Sequence, residues 1–212
     1  MGGTVFLLRS GDTPWHHQGR LLGRRDIGLA PEGQAQVQTS QAILGDVVFS
    51  ELLCSPLASA IETAEAFTSA GLSIGRDPRL NNIDLGPWEG AHVKDLAPSD
   101  PLFRLLAGDD VTVDEVEELE TIRHRVVSSI EQSLDDNPPD SNIILVSHAV
   151  PIRLALTHYL GIQATLYPRF HVAPASFCIL QRRGPVDSAH VLAINWTTSV
   201  TTLLTSPSNT VA

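Results

Sequence analysis

No stretch of this 212-residue chain approaches the ~20 consecutive apolar residues that a membrane-spanning helix needs. The longest apolar runs, residues 143–146 and 47–49, have the length of strands. The start of the chain also lacks the basic-then-apolar layout and small-residue cleavage site of a secretion signal. Arg9 and Asp12 follow the apolar residues 5–8 almost at once, so the expected location is the cytoplasm. Cysteine is scarce. Cys54 and Cys178 are too few to make a disulfide framework for a chain of this size, and their apolar, strand-like surroundings suit small buried thiols. Positive charge is in the minority, with 14 Lys and Arg against 24 Asp and Glu and a net charge of −10. That balance excludes nucleic acid as a general partner, because a phosphate backbone demands clustered Lys and Arg. His16 and His17 are adjacent and have no spaced Cys or Asp partner, so no metal site is read from them, and no cofactor is expected.

What remains is a globular composition, 42% hydrophobic, long enough to bury one substantial core. The expectation is a single domain over residues 1–212, with residues 197–212 as a Ser/Thr-rich tail. Charge is unevenly spread. Asp109, Asp110, Asp114, Glu115, Glu117, Glu118 and Glu120 form an acidic stretch, read as a solvated face, while Arg9, Arg20, Arg24 and Arg25 gather near the start. An arginine cluster in an acidic protein is suited to receive an anionic small molecule.

Local patterns alternate between strands and helices. Residues 4–8 read as a strand ending in Arg9-Ser10-Gly11. A helix is predicted from Pro31 to Leu44, a strand over 48–54, and a helix over 57–69 capped by Ser55 and Pro56 and closed by Gly71. Residues 76–100, rich in Pro, Asn, Asp and Gly, read as a long loop of the functional kind. The stripe Val116, Leu119, Val126, Ile130 and Leu134 predicts a helix over 114–134. Residues 142–146 read as a strand buried on both faces, followed by Ser147-His148 and a helix beginning at Pro151. Residues 177–181 and 190–195 read as a hairpin. This order implies a three-layer αβα sandwich around a mostly parallel sheet, in which ligands bind beyond the carboxyl ends of the strands. Arg9-Ser10-Gly11 and Ser147-His148 both fall at such ends and are expected to meet in one crevice.

Four segments then resemble one family. FLLRSGDTPWHHQGRLLGRRDIGLAPEGQAQ is similar to the opening of histidine phosphatases and cofactor-dependent phosphoglycerate mutases, with its Arg-His-Gly-Glu-Thr. CSPLASAIETAEAF resembles the Ser-Pro-Leu segment, LNNIDLGPWEG the loop that carries a glutamate, and ILVSHAVPIRLAL the late strand ending in Ser-His. The resemblance implies the phosphoglycerate-mutase-like α/β fold. In that family a histidine attacks phosphorus, two arginines and a second histidine surround the phosphoryl oxygens, and a glutamate moves a proton. Carried over, the nucleophile falls on Ser10, the first arginine on Arg9, the second on Ser59, the glutamate on Asn82 and the second histidine on His148. The asparagine that touches phosphate falls on His16. Asp84, two residues past Asn82, is the other candidate for the acid. Gly11, Arg20 and Arg24 complete the expected anion-binding set.

Three of the five chemical positions therefore depart from the pattern. A deliberate His→Ser replacement would account for Ser10 but not for Ser59 and Asn82, so the site is read as degenerate by nature. The leading expectation is a protein that binds a phosphorylated or carboxylated small molecule without ordinary phosphatase turnover. Two alternatives stay open: an enzyme using His148, His16 or Asp84 for other acid–base chemistry, and a structural partner that uses only the fold. A homodimer is left open by the resemblance and by the closing hairpin.

Overall fold

A computed structural model describes residues 2–45, 47–68, 72–184 and 189–197. Six strands form one sheet: β1 (Thr4–Arg9), β2 (Glu51–Cys54), β3 (Ile74–Arg76), β4 (Asn142–Ser147), β5 (Phe177–Gln181) and β6 (His190–Trp196). Their order across the sheet is β3-β2-β4-β1-β5-β6, with the first four parallel and β5 and β6 added antiparallel. The helices are α1 (Pro14–His17), α2 (Pro31–Leu44), α3 (Ala58–Glu65), α4 (Pro101–Ala107), α5 (Leu119–Asp136) and α6 (Ala149–Tyr159).

The period-two alternation of the central strands sends side chains to both faces. Val5, Leu7, Ile143 and Leu145 pack against Val126, Ile130 and Leu134 of α5 and Ile152 and Leu156 of α6. Phe6, Leu8, Ile144 and Val146 pack against Val37 and Leu44 of α2 and Ala60 and Ala64 of α3. Helices thus cover both faces, as a continuous apolar strand such as residues 143–146 requires. A third cluster joins Leu21, Ile83, Leu85, Leu102, Leu106 and Ile122 with Val150 and Leu154 of α6. Cys54 and Cys178 are buried free thiols, and burial pushes them up to about 11 and about 12. Among the described residues no helix is long and apolar enough to cross a membrane.

Several element boundaries moved, each for a local reason. The acidic stretch does not start the long helix: α5 begins at Leu119, not at 114. Glu115 takes a left-handed φ of 61°, which ends any helix there, and the Glu117 N–H donates to the Asp84 carbonyl at 2.9 Å. The strand predicted over 48–54 shortens to β2, because Val48 is 80% exposed while Phe49 turns edge-on against Phe6. Helix α3 is capped at Leu57, not at Ser55, and it ends at Glu65, short of the expected Ser69, because the Thr68 hydroxyl takes the Glu65 carbonyl and residues 66–68 leave the helix; Ser69 and Gly71 themselves lie outside the described residues. Helix α6 starts two residues before Pro151, which occupies its first turn, where a missing N–H costs nothing. The long loop holds three short 3-10 turns and follows β3, too brief and polar a strand to read from sequence. The hairpin is present as β5 and β6, and the tail beyond Thr197 lies outside the described residues.

One close approach sets up the site. A Cβ on Gly11 would sit 2.7 Å from the Gly33 carbonyl, and one on Gly33 would run into the Asp12 backbone. Only glycines let the loop after β1 lie flush on the start of α2. That contact brings Asp12 opposite Gln36.

Candidate functional site

The parallel strands bring their carboxyl ends to one edge. Arg9 pairs with Ser147 and Cys54 with Val146, so the residues that follow, Ser10, Ser55 and His148, emerge side by side. The Ser10 N–H donates to the Ser147 carbonyl and the Ser55 N–H to that of Val146, both at 2.9 Å. The resulting crevice occupies about 460 Å³, counted out to bulk solvent. Only about 20 Å³ of it is wide enough for a water, room for about one molecule. Arg9, Ser10, His16, Asn82 and His148 line it, together with Leu22, Leu85, Leu106 and the first residues of α6.

Arg9 is 1% exposed, and among the described residues it forms no ion pair. Its Nη1 donates to the Val172 carbonyl at 2.6 Å. Burial, then the nearby Arg153 guanidinium, brings its pKa down to about 10, against the partial support of Asp12. It still carries its charge at neutral pH.

His148 is the N-cap of α6 and is also buried. Its Nε2 lies 3.0 Å from Ser55 Oγ, and Ser55 Oγ lies 2.8 Å from Asn81 Oδ1. Asn81 Oδ1 can only accept, so the single Ser55 proton goes there. The Ser55 oxygen must then accept from His148, which fixes the Nε2–H tautomer. Burial first, then Arg9, His16 and Arg125, holds the His148 pKa down to about 3, so the ring is neutral. In the unfolded chain the same ring titrates near 6.5. The contribution of neutral His148 is therefore intact above about pH 6.5 and is lost as pH falls towards 3. At pH 5 the loss is about 2 kcal/mol. His148→Gln is expected to flatten the pH dependence by that amount in urea unfolding at pH 5 and pH 7.5; an unchanged difference would show that the ring is charged in the fold.

His16 reaches the crevice from α1. Its Nδ1 lies 3.2 Å from Asp12 Oδ1, across the Thr13 N-cap. Asp12 is gripped in turn by Gln36: Nε2 donates to Oδ2 at 2.9 Å, and Gln36 Oε1 accepts the Asp12 N–H at 3.0 Å. The Thr13 N–H also points at Nδ1. Nδ1 accepts that N–H and closes a capping box at the start of α1, with the Asp12 carboxylate beside it. Burial lowers the His16 pKa, with Arg9 and His17 adding to the effect and Asp12 opposing it. Burial would raise Asp12, but the contacts with His16 and Gln36 outweigh it and the carboxyl is lowered.

The other expected residues fall elsewhere. Asn82 lines the crevice; its Nδ2 donates to the Gly23 carbonyl, and its Oδ1 is buried with no partner among the described residues. Ser59 is buried near the start of α3 and does not line the crevice. Asp84 lies outside it too, 3.3 Å from Arg24. Arg24 is spent on Asp84, Glu117 and the Asn82 carbonyl, and Arg20 on Gln18, the Gly90 carbonyl and the Trp15 ring. Gly11 acts through packing, with its N–H on Thr63 Oγ1. The arginine cluster is thus not one anion site: Arg9 alone faces the crevice. Sequence reading missed Asp12, Gln36, Ser55 and Arg125. The i, i+4 spacing of Asp12 and His16 was the signal available for one of them. Among the described residues no group of three or more His, Cys, Asp or Glu side chains is arranged to hold a metal.

Known proteins resemble this chain in sequence and in fold. The probable phosphoglycerate mutase GpmB of Escherichia coli is 29% identical over 164 residues, 76% of each chain. Bacillus stearothermophilus YhfR superposes with a TM-score of 0.84 at 21% identity, over 92% of this chain and 98% of that one. A phosphoserine phosphatase from Entamoeba histolytica, solved in complex with 3-phosphoglyceric acid, superposes with a TM-score of 0.81 at 21% identity and the same coverage. The profile of the histidine phosphatase superfamily, branch 1, matches residues 5–197. That match spans most of the sequence, so the chain belongs to the histidine phosphatase superfamily, branch 1.

Proposed function

We propose that this protein binds a small phosphorylated or carboxylated anion at Arg9 and does not run a phosphohistidine cycle. The observation that carries the reading is Arg9 itself, a buried cation without an ion-pair partner among the described residues, lining a crevice. A buried charge without a counterion is costly, and an anion offsets that cost. The first turn of α6 borders the same space and adds the N–H groups of Ala149 and Val150, which have no partner within the helix. The Entamoeba relative, solved with 3-phosphoglyceric acid, supports a phosphorylated acid as the ligand class. Against turnover stand Ser10, Ser59 and Asn82. A serine hydroxyl needs an activating base, and Ser10 makes no hydrogen bond to either histidine. Asn82 cannot give a proton as an acid.

The test has two arms. Inorganic phosphate and 3-phosphoglycerate are expected to raise the melting temperature relative to chloride at equal ionic strength. Saturation at a hundred times Kd is worth about 2.7 kcal/mol, roughly 5–10 °C for a chain of this size. Incubation with a radiolabelled phosphomonoester is expected to leave no acid-labile phosphoenzyme. No anion-dependent shift, or a trapped phosphohistidine, would sink the reading.

A further inference from the structure

The chain between α4 and α5 is tied down at both ends. At one end Gly108 takes a left-handed φ of 97°, and a Cβ there would lie 2.5 Å from the Thr165 carbonyl, so only glycine lets the loop turn this close to that segment. At the other end the Glu117 N–H donates to the Asp84 carbonyl, and its carboxylate is taken by Arg24 and Arg125. Between these ties, residues 109–116, the first turn of α5 and residues 161–165 border a groove that shares no lining residue with the crevice at Arg9. About 610 Å³ of it is wide enough for a water, against about 20 Å³ in the crevice. That is the size of a small-molecule site, ~300–1,000 Å³.

The groove joins two independent properties. Its floor is apolar: Leu105, Val113, Leu119 and Ala164 are buried members of the third core cluster, and Val111 and Val116 pack beside them half-buried. Its rim is acidic: Asp109, Asp110, Glu117, Glu118 and Glu120 line it against one cation, Arg123. Arg104 neutralises Asp109, Arg123 neutralises Glu120, and Arg24 and Arg125 hold Glu117. Asp110 and Glu118 are left with no ion pair among the described residues. The stretch expected as a solvated acidic face is thus one wall of a groove with an apolar floor. Such a floor suits an apolar body, and the two uncompensated carboxylates suit positive charge. A second copy of the chain is a poor occupant, since its net charge of −10 would bring like charge to an acidic rim.

We propose that this groove binds a small organic cation, an amine or guanidine carried on an apolar body, whose charge is met by Asp110 and Glu118. The site is separate from the anion reading at Arg9 and stands or falls without it. Both carboxylates are exposed, so each contact is worth at most about fivefold in affinity and is screened by salt.

Tryptamine is the probe. Indole-3-propionate carries the same ring with a negative charge, and ethylammonium the same charge without a ring. In an NMR titration of isotope-labelled protein at low ionic strength, tryptamine is expected to bind with a Kd of about 1 mM or tighter. It should move the amide signals of residues 109–120 and 161–165. The other two compounds are expected to bind at least about tenfold more weakly. Asp110→Asn combined with Glu118→Gln is expected to weaken tryptamine about tenfold and to reduce the salt dependence of its binding. The melting temperature of that variant and its response to phosphate should match the wild type. Equal binding of indole-3-propionate, undiminished binding in the double variant, shifts centred elsewhere or no saturable shift would each overturn the site. Signals that move with protein concentration alone would give the groove to a second copy. A Lys-Trp-Lys peptide that binds where tryptamine does not would give it to a basic segment of another protein. Either result also overturns the proposal.

Discussion

Arg9→Leu is expected to abolish the phosphate-dependent rise in melting temperature and yet yield a free protein that melts no lower than the wild type. Both halves follow from burial. Arg9 is the only permanent cation among the residues lining the crevice, so its loss leaves an anion with helix amides alone. Charge-assisted hydrogen bonds contribute ~1.5–3 kcal/mol each, so one bidentate contact corresponds to an affinity loss of at least about a hundredfold. In the free protein the same guanidinium is a burden. Its pKa stands at about 10 against 12.5, and each unit is about 1.4 kcal/mol, so holding the charge costs on the order of 3 kcal/mol at any pH below about 10. Leucine removes that cost and gives up the bond to the Val172 carbonyl, worth ~1 kcal/mol. Thermal scans with and without phosphate at pH 7 read both effects. A variant that is both markedly destabilised and still responsive to phosphate would show that Arg9 is a structural arginine.

Glu117→Ala is expected to be among the most destabilising single changes outside the central core, by about 3–5 kcal/mol. Its carboxylate receives Arg125 through Nε at 2.8 Å and Nη2 at 3.0 Å, Arg24 Nη2 at 3.0 Å and the Asp84 N–H at 3.2 Å. The Glu117 and Arg125 side chains are 12% and 14% exposed, so water cannot replace the lost partner well. Arg125 also donates to the carbonyls of Arg79, Asn81 and Asn82, so the pair ties the start of the long loop to α5. The loop carries Asn81, which holds Ser55 and through it His148. A loss of that size lowers the melting temperature by roughly 10 °C in a chain of this length. A loss of less than about 1 kcal/mol, the scale of an exposed surface pair, would show that solvent already screens the cluster.

The two expectations separate what is visible in a sequence from what is not. The apolar runs at 4–8 and 142–146 and the Ser-Pro-Leu and Ser-His motifs were enough to place Arg9, Ser10 and His148 at one sheet edge. Periodicity of 2 and 3.6 is local, and parallel pairing follows from strands that alternate with helices. The same reading extended α5 back to Asp114, because Val116 falls on the stripe of Leu119 and Val126. The left-handed Glu115 and the tertiary pull on Glu117 ended the helix first. It also gathered Arg20, Arg24 and Arg9 into one cluster from proximity in the chain. An arginine side chain, about 7 Å long when extended at ~1.5 Å per bond, points where packing sends it, and only one of the three turned inward.

Composition, strand–helix alternation and four motifs by themselves determined the αβα sheet, the family and the strand-end location of the site. That serine and asparagine fall where the family resemblance points to a nucleophile and an acid is likewise a reading of the chain alone. Which arginine faces the crevice, which nitrogen of His148 carries the proton, and the pairing of Asp12 with His16 and Gln36 were decided only by the tertiary structure. Those are properties of distances between residues up to 93 positions apart, as with Ser55 and His148, and no local pattern encodes them. Orientation and burial set the charge state of each group, and they exist only once the core has closed around it.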